Sequence, residues 1–378
     1  MYPKIAVIGT SLRENEHRLP VHPAHLEHIP NALRKQLYFD KGYGARFGLS
    51  DKIITNLGFS IDDRDELIKT SDIVIIPKPM EADLMSIAEG AIVWGWLHFV
   101  LYGDLADICI QRKHTVVTWE AMYENDLSEG RARHTFKNNN ALAGYAGTLH
   151  ALGLKGLDGL FGKPSKVAVI GHGYAGRASI QALQGRGYND ITVYSKRANT
   201  DINDCMDRVT YKHITKDDQH GSVVIENDDL RSPLWKELKS TDIIINCGGQ
   251  DPENPLMYVP KNRESEFDHD CLIIDISCDP GMGFSFIKTT TFDRPTYQFG
   301  KTTICAVDHS PGYLWDAATW QISKEVLRFL PDIMTGFKKI KSNSVLNNAI
   351  EIQEGIIINE KIITYQNRSK AYPHTIKY

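Results

Sequence analysis

Residues 167–177 read "VAVIGHGYAGR". Four apolar residues run into three glycines at the spacing G-x-G-x-x-G, and "RASIQALQGRG" (177–187) follows with a helical pattern of Ile180, Ala182 and Leu183. A buried strand, a tight turn and a helix are the context in which that spacing has physical meaning. Gly171 permits the turn, Gly173 lets backbone approach a pyrophosphate, and Gly176 lets the helix close on the strand. The helix N-terminus then offers its unpaired N–H groups and partial positive charge to phosphate. Tyr174 and Ala175 lie inside the same loop, and Cys247 and Gly248 end the apolar run "DIIINCG" (242–248). These four residues and the three glycines make up the expected dinucleotide cradle.

The next apolar run, "DITVYSKR" (190–197), bears on which dinucleotide is held. An acidic residue about 20 positions beyond the loop would take the ribose hydroxyls of NAD. Ser195, Lys196 and Arg197 stand there instead. A hydroxyl and two cations suit a 2′-phosphate. NADP(H) is therefore favoured, and NAD(H) is the alternative if the two cations are merely solvated.

Working outward, short apolar runs alternate with helix-like segments in two series. "KIAVIG" (4–9), "DIVIIPK" (72–78), "AIVWGWLH" (91–98) and "HTVVTWE" (114–120) form the first. "KVAVIG" (166–171), "DITVYS" (190–195), "DIIINCG" (242–248), "CLIIDIS" (271–277) and "TTICAVD" (302–308) form the second. Continuous apolar runs are the mark of parallel strands covered on both faces, so the fold class is α/β, with two such units in tandem. "NALAGYAGTLHAL" (140–152) reads as a helix joining them, its small residues suited to close packing. "SKEVLRFLPDIM" (323–334) reads as an amphipathic helix, and the tail from about residue 342 as irregular.

Composition narrows the partners. The chain has 378 residues, a net charge of −4 and no block of like charge, which argues against nucleic acid. No apolar run is long enough to span a bilayer, and the N-terminus lacks the pattern of a signal peptide. Six scattered cysteines form no C-x-x-C pair, so neither a metal site nor a disulfide framework is expected. Reduced thiols in a cytoplasmic protein are the simplest expectation.

Candidate chemistry sits where strands end, because ligands of open α/β sheets bind beyond the carboxyl ends of strands. Arg18 lies in "RENEHRLPVHP" (13–23), Lys78 and His98 close their runs, and Asp279 follows "CLIIDIS". Each could instead be a solvated charge or, for His98 beside Trp96 and Phe99, a structural residue. Arg131, Arg133, His134 and Lys137 in "EGRARHTFKNNN" (129–140) read as exposed loop charges or as substrate-facing groups.

Taken together, "NEHRLPVHP" (15–23), "DIVIIPKP" (72–79), "GWLH" (95–98), "NALAGYAGTLHAL" (140–152), "LIIDISCDPGMG" (272–283) and "AVDHSPGYL" (306–314) resemble, in order, motifs of one family. It contains alanine dehydrogenase, the proton-translocating transhydrogenase, lysine-forming saccharopine dehydrogenase and carboxyethylornithine synthase. The motifs lie nearest to the last of these. "AVDHSP" is nearer to saccharopine dehydrogenase, and D-P-G-M-G departs from the D-Q-G-G of alanine dehydrogenases.

The resemblance implies two Rossmann-like domains with a cleft between them. A substrate domain would span residues 1–139 plus 304–378, completed by the C-terminal segment, and a dinucleotide domain 140–303. It implies that Arg18 and Lys78 bind a substrate carboxylate and that His98 is the acid–base group. Asp279 would lie at the reacting centre, and Asp308 would be a pocket carboxylate. The implied reaction is NAD(P)H-dependent reductive amination of a 2-oxo acid such as pyruvate. An amino-acid amine would give an opine- or saccharopine-like product; ammonia would make the enzyme an alanine-dehydrogenase type. A non-catalytic dinucleotide sensor is the third reading. The partners are then a small oxo acid and an amino acid, and a homo-oligomer fits the resemblance.

Overall fold

The computed structural model describes residues 3–126, 131–225, 231–278 and 281–377. The chain divides into two compact units, Met1–Lys137 with Trp315–Tyr378, and Asn138–Leu314.

The first unit is built on an eight-stranded sheet. Its spatial order is Ser60–Asp62, Leu37–Asp40, Ile5–Val7, Ile73–Ile75, Ile92–Gly95, Thr115–Thr118, Ile350–Gln353 and Ile356–Ile357. The six strands from the first part of the chain are parallel. Ile350–Gln353 pairs antiparallel with Thr115–Thr118, and Ile356–Ile357 pairs antiparallel with Ile350–Gln353. In chain order the parallel strands stand 3-2-1-4-5-6, the doubly wound arrangement. Alternate side chains enter two cores. Val7, Ile75, Trp94 and Val117 pack with Ile322, Val326 and Phe329 of the helix Trp315–Thr335. Ala6, Val74, Val93 and Val116 pack on the other face with Leu84, Ile110 and Ile362. Cover on both faces is why these strands read as unbroken apolar runs.

The second unit repeats the plan. Val209–Asp217, Ile191–Ser195, Val167–Ile170, Ile243–Asn246, Leu272–Asp275 and Thr302–Cys305 are parallel and again stand 3-2-1-4-5-6. Antiparallel strands Gly221–Ile225, Arg231–Pro233 and Thr296–Phe299 extend the two edges. One core takes Val169, Val193, Ile245 and Ile274 with Leu152, Ile180 and Leu183; the other takes Ala168, Ile244 and Ile273 with Trp235 and Phe267.

Several features depart from the sequence expectation. The tail after residue 342 is not irregular: Ile350–Gln353 adds to the strand Thr115–Thr118, and the helix Glu360–Tyr365 covers it. The first unit resumes at Trp315 rather than at 304, because Thr302–Cys305 is the sixth parallel strand of the second sheet. The segment around 131–137 is not an exposed loop. Arg131–His134 pairs with Tyr123–Asp126, and His134 is buried, its imidazole held down to about 4 mainly by burial. The joining helix is longer than the run 140–152: it spans Lys137–Lys155, starts at the boundary between units and takes Asn138–Asn140 into its first turn.

Candidate active site

In the second unit the glycine turn occupies the switch point between the first and fourth strands, where the strand order reverses. Gly171 has φ +96°, and a Cβ there would meet the carbonyl oxygen of Cys247 at 2.9 Å. A Cβ on Gly176 would stand 2.1 Å from the carbonyl oxygen of Gly171, so only glycine lets the helix Tyr174–Gly185 sit this close. Gly144, on the joining helix, makes the same kind of approach to the carbonyl oxygen of Ala175, at 2.0 Å. Gly173 differs from these. A Cβ added there meets nothing within 4 Å. Packing does not require glycine at 173, and that open space beside a helix N-terminus without a side-chain cap fits a pyrophosphate. Tyr174 and Ala175 open the helix. Gly248 is kept small by the Tyr258 hydroxyl, 2.3 Å from where its Cβ would lie.

Ser195, Lys196 and Arg197 follow the second strand, beside this turn. Ser195 is buried and its hydroxyl accepts the Arg197 N–H at 3.0 Å. Arg197 donates to the carbonyl of His172 at 2.8 Å, which ties the basic corner to the glycine turn. Lys196 is exposed. Asp204, which no sequence motif marked, takes ion pairs from both Arg177 and Arg197. Its main-chain carbonyl also lies 3.1 Å from Nε2 of His172. Two guanidinium groups share that one carboxylate, and Lys196 adds an exposed cation next to Arg197.

Cys247 packs as a small hydrophobe. Burial pushes its thiol up to about 12, and its Sγ lies 3.4 Å from the Ser179 hydroxyl. Beside it, Asn246 donates to Asp275 at 3.0 Å, and Asp275 also accepts the N–H of Cys278 at 3.0 Å. This pair at the ends of the fourth and fifth strands was likewise not foreseen. Asp308 lies in the second unit, paired with the imidazole of His309. Asp279 falls outside the described residues.

The first unit fixes its strand ends with side chains. Asp40 is fully buried and accepts the N–H groups of Gly9 at 2.8 Å and Thr10 at 3.0 Å; burial raises its carboxyl. Arg64 donates to the Thr10 carbonyl at 2.7 Å and pairs with the buried Asp83. Asp83 in turn accepts the Met80 N–H at 2.8 Å. The Ser11 hydroxyl joins two loops: it accepts the Arg13 N–H and donates to the Lys78 carbonyl, each at 3.1 Å. Arg18 is 3% exposed, gripped by the carboxylate of Glu16 through Nε and Nη2 and lying 5.0 Å over the Trp96 ring.

Lys78 and His98 follow the ends of two paired strands. The strands Ile73–Ile75 and Ile92–Gly95 are paired, and the pairing continues through Trp96 N–H to the Pro77 carbonyl at 2.9 Å. Gly95 permits this approach, since a Cβ there would lie 1.9 Å from the Ile76 carbonyl oxygen. His98 adopts φ +49°, a left-handed conformation uncommon outside glycine. Glu120, also unmarked in the sequence, accepts the N–H groups of both Leu97 and His98. The His98 carbonyl accepts from Leu101 and Tyr102 at 3.0 and 3.2 Å. Burial, then the nearby carboxylate of Glu351, raises the Glu120 carboxyl, and burial raises Glu351.

Arg18, Lys78 and His98 thus share one edge of the first unit, and the glycine set with Ser195, Lys196 and Arg197 shares one edge of the second. Among the described residues no cluster of three or more His, Cys, Asp or Glu side chains could hold a metal ion. All six cysteines are free thiols, and no described helix is long and apolar enough to cross a membrane.

Two doubly wound sheets, one carrying a glycine turn fitted to a pyrophosphate, define an α/β protein of the dinucleotide-binding class. The chain belongs to the alanine dehydrogenase/PNT family, whose C-terminal domain matches residues 145–364. This is a family of nicotinamide-dinucleotide-dependent oxidoreductases. The chain is 25% identical over 321 residues to an N(5)-(carboxyethyl)ornithine synthase of Clostridium botulinum, covering 82% of this chain and 88% of that protein. It is 24% identical to an alanine dehydrogenase of Methanococcus maripaludis, with 97% of both chains covered. Among solved structures, an L-alanine dehydrogenase matches with TM-score 0.74 at 16% identity, covering 96% of this chain and 98% of that one. A transhydrogenase from Sinorhizobium meliloti matches with TM-score 0.71 at 14% identity, covering 94% and 99%.

Proposed function

We propose that the protein reduces, with NADPH, the imine formed between a small 2-oxo acid such as pyruvate and the amine of an amino acid, giving an N-carboxyalkyl amino acid. The observation that carries this reading is the register that sets Lys78 and His98 at adjoining strand ends, with Arg18 on the same edge. The likeness to a carboxyethylornithine synthase supports it, and the basic corner at Ser195, Lys196 and Arg197 supports NADPH over NADH.

Arg18 and Lys78 hold the oxo-acid carboxylate by charge-assisted hydrogen bonds. Glu16 and Trp96 keep the Arg18 guanidinium in one orientation. Lys78 acts as a cation, not as a Schiff-base nucleophile. The amine adds to the C2 carbonyl, and water leaves with a proton delivered by His98; an imidazole titrates in the range such a shuttle needs. The turn Gly171–Gly176 and the corner Ser195–Arg197 hold the dinucleotide, which supplies the hydride when bound. Fixing the oxo acid in this way makes the transfer short and oriented.

Incubation with NADPH, pyruvate and either ornithine, lysine or ammonia, followed by mass identification of the product, tests the reading. A secondary amine formed from pyruvate and an amino acid is expected. NADPH consumption with ammonia alone would replace it by the second reading, oxidative deamination of the alanine-dehydrogenase type. That alternative is favoured by the end-to-end likeness to the Methanococcus maripaludis alanine dehydrogenase.

A further inference from the structure

The first unit has a switch point of its own. Its strand order reverses between Ile5–Val7 and Ile73–Ile75. The loops that leave these two strands carry Arg13 and Lys78 in place of a glycine-rich turn, and the Ser11 hydroxyl bonds one to the other. A cavity of about 230 Å³ opens beside this point, mostly between the loops that follow Ile73–Ile75 and Ile92–Gly95, with Arg13 reaching it from the loop after the first strand, within the first unit alone. Arg13, Lys78, Glu81 and Asp104 bring charge to its wall, and Trp96 and Leu101 bring apolar surface. Trp96 also carries the Arg18 guanidinium on its ring, so the cavity abuts the edge proposed for the oxo acid.

The chemistry of this wall is specific. Two cations and two carboxylates around one small cavity are poorly matched to a simple anion, which the carboxylates would repel. They are equally poorly matched to a simple amine, which Arg13 and Lys78 would repel. A group carrying both charges satisfies both sets. The space, at roughly 30 Å³ for each water-sized volume, holds about seven or eight such volumes. That is far more than ammonia needs and close to the size of a free amino acid. Position and wall chemistry converge, since ligands of doubly wound sheets bind beyond the carboxyl ends of the strands, and Arg13 and Lys78 come from the two loops that flank the switch point.

We propose that this cavity is the specificity subsite for the amine substrate and binds the zwitterionic head of an α-amino acid, its carboxylate on Arg13 and its ammonium on Glu81 and Asp104. The proposal rests on the reductive-amination reading for the use made of the bound amino acid, but not for the binding itself. Lys78 then stands between the two substrates, facing the oxo acid on one side and the amino acid on the other.

The test uses the full chain and two probes of similar length, L-ornithine and putrescine; putrescine lacks the carboxylate. Titration calorimetry in the presence of NADP⁺ reads binding directly, without turnover. Ornithine is expected to bind at least about tenfold tighter than putrescine, and Arg13→Met to erase that difference. In steady state with NADPH and pyruvate, Arg13→Met is expected to raise KM for ornithine about tenfold or more and to leave KM for pyruvate and for NADPH within about twofold. Asp104→Asn combined with Glu81→Gln should weaken ornithine while leaving 5-aminovalerate, which lacks the α-ammonium, unchanged. Equal binding of ornithine and putrescine by the parent protein, or equal rises in KM for ornithine and pyruvate in Arg13→Met, would overturn the proposal. Selective ornithine binding lost in Arg13→Met, together with turnover by ammonia alone, would uphold the subsite and sink the amination reading instead.

Discussion

The two units share a strand order and differ in what they do with it. Both stand 3-2-1-4-5-6, and both leave their first strand through a glycine, Gly171 in one and Gly9 in the other. In the second unit the loop is held by missing side chains: Gly171 and Gly176 let backbone touch backbone, and Gly173 faces open space. In the first unit the space beside Gly9 is filled, since a Cβ there would meet Leu19 and Tyr43 at 2.8 Å. Its loops are held instead by buried carboxyl groups, with Asp40 on Gly9 and Thr10, Asp83 on Arg64, Glu16 on Arg18 and Glu120 on His98. One topology therefore yields a backbone cradle with room for a diphosphate and a side-chain cradle, to which we assign by proposal a small charged acid. The topology supplies the crevice, and the loops choose the ligand.

The acid–base role proposed for His98 separates the two units most widely. His98→Ala should lower kcat by about 10²- to 10⁴-fold. NADPH affinity, measured by fluorescence titration, should stay within about twofold, because the substitution touches only the side-chain cradle. A variant that turns over like the parent would remove His98 from the mechanism. A smaller effect belongs to the basic corner. Replacing Lys196 and Arg197 together by Ala should weaken NADPH by roughly 10- to 100-fold, on the scale of one or two charge-assisted hydrogen bonds, and leave NADH almost unmoved. Equal losses for both dinucleotides would assign the pair to the fold, through the Arg197 bond to His172, and not to the 2′-phosphate.

The smallest effect concerns two buried carboxyls of the first unit, Glu120 and Glu351. Glu120 and Glu351 both have carboxyls raised by burial, and Glu351 adds repulsion at Glu120. The folded chain thus keeps protons that the unfolded chain gives up near the ordinary glutamate range. Their stabilising contribution is complete below that range and is lost as pH rises through the raised values of the pair. Urea unfolding at about pH 5.5 and about pH 8.5 should therefore show a fall in stability with rising pH. Glu351→Gln should shrink that fall by on the order of 1 kcal/mol, the free energy of a roughly tenfold change in one acid constant. An unchanged fall would mean that folding raises neither the Glu351 carboxyl itself nor, through it, that of Glu120.

What the amino-acid sequence discloses follows the same division. The glycine turn was legible because its three glycines and their strand and helix lie within about 20 consecutive positions. The central strands were legible because cover on both faces makes them continuously apolar. Edge strands were not. Val209–Asp217 is mostly half-exposed and carries Lys212, His213 and Lys216, so its residues lack an apolar run. Ile350–Gln353 lies in a tail, and its partner strand, Thr115–Thr118, stands in the first half of the chain. Arg18, Lys78 and His98 could be named from their places at strand ends and from resemblance. Glu120, Asp204 and Asp83 could not, because each acts on a loop reached only through folding: Glu120 on His98 at 22 positions, Asp204 on Arg177 at 27, and Asp83 on Arg64 at 19. Glu16 stood two positions from Arg18 inside a quoted motif, yet only the folded loop shows that it grips the guanidinium.

The central claim is that the cradle of the second unit is shaped by what it holds, and Gly173 isolates it. A Cβ added there meets nothing within 4 Å beyond its chain neighbours, and its φ of −91° suits any residue. NADPH binding to Gly173→Val by titration calorimetry, with a thermal melt of the same sample, is therefore the most direct measurement. The melting temperature should be unchanged and the affinity weaker by about 100-fold or more, since a branched side chain fills the place of the pyrophosphate. Binding of NADPH by Gly173→Val as tight as that of the parent protein would contradict the claim.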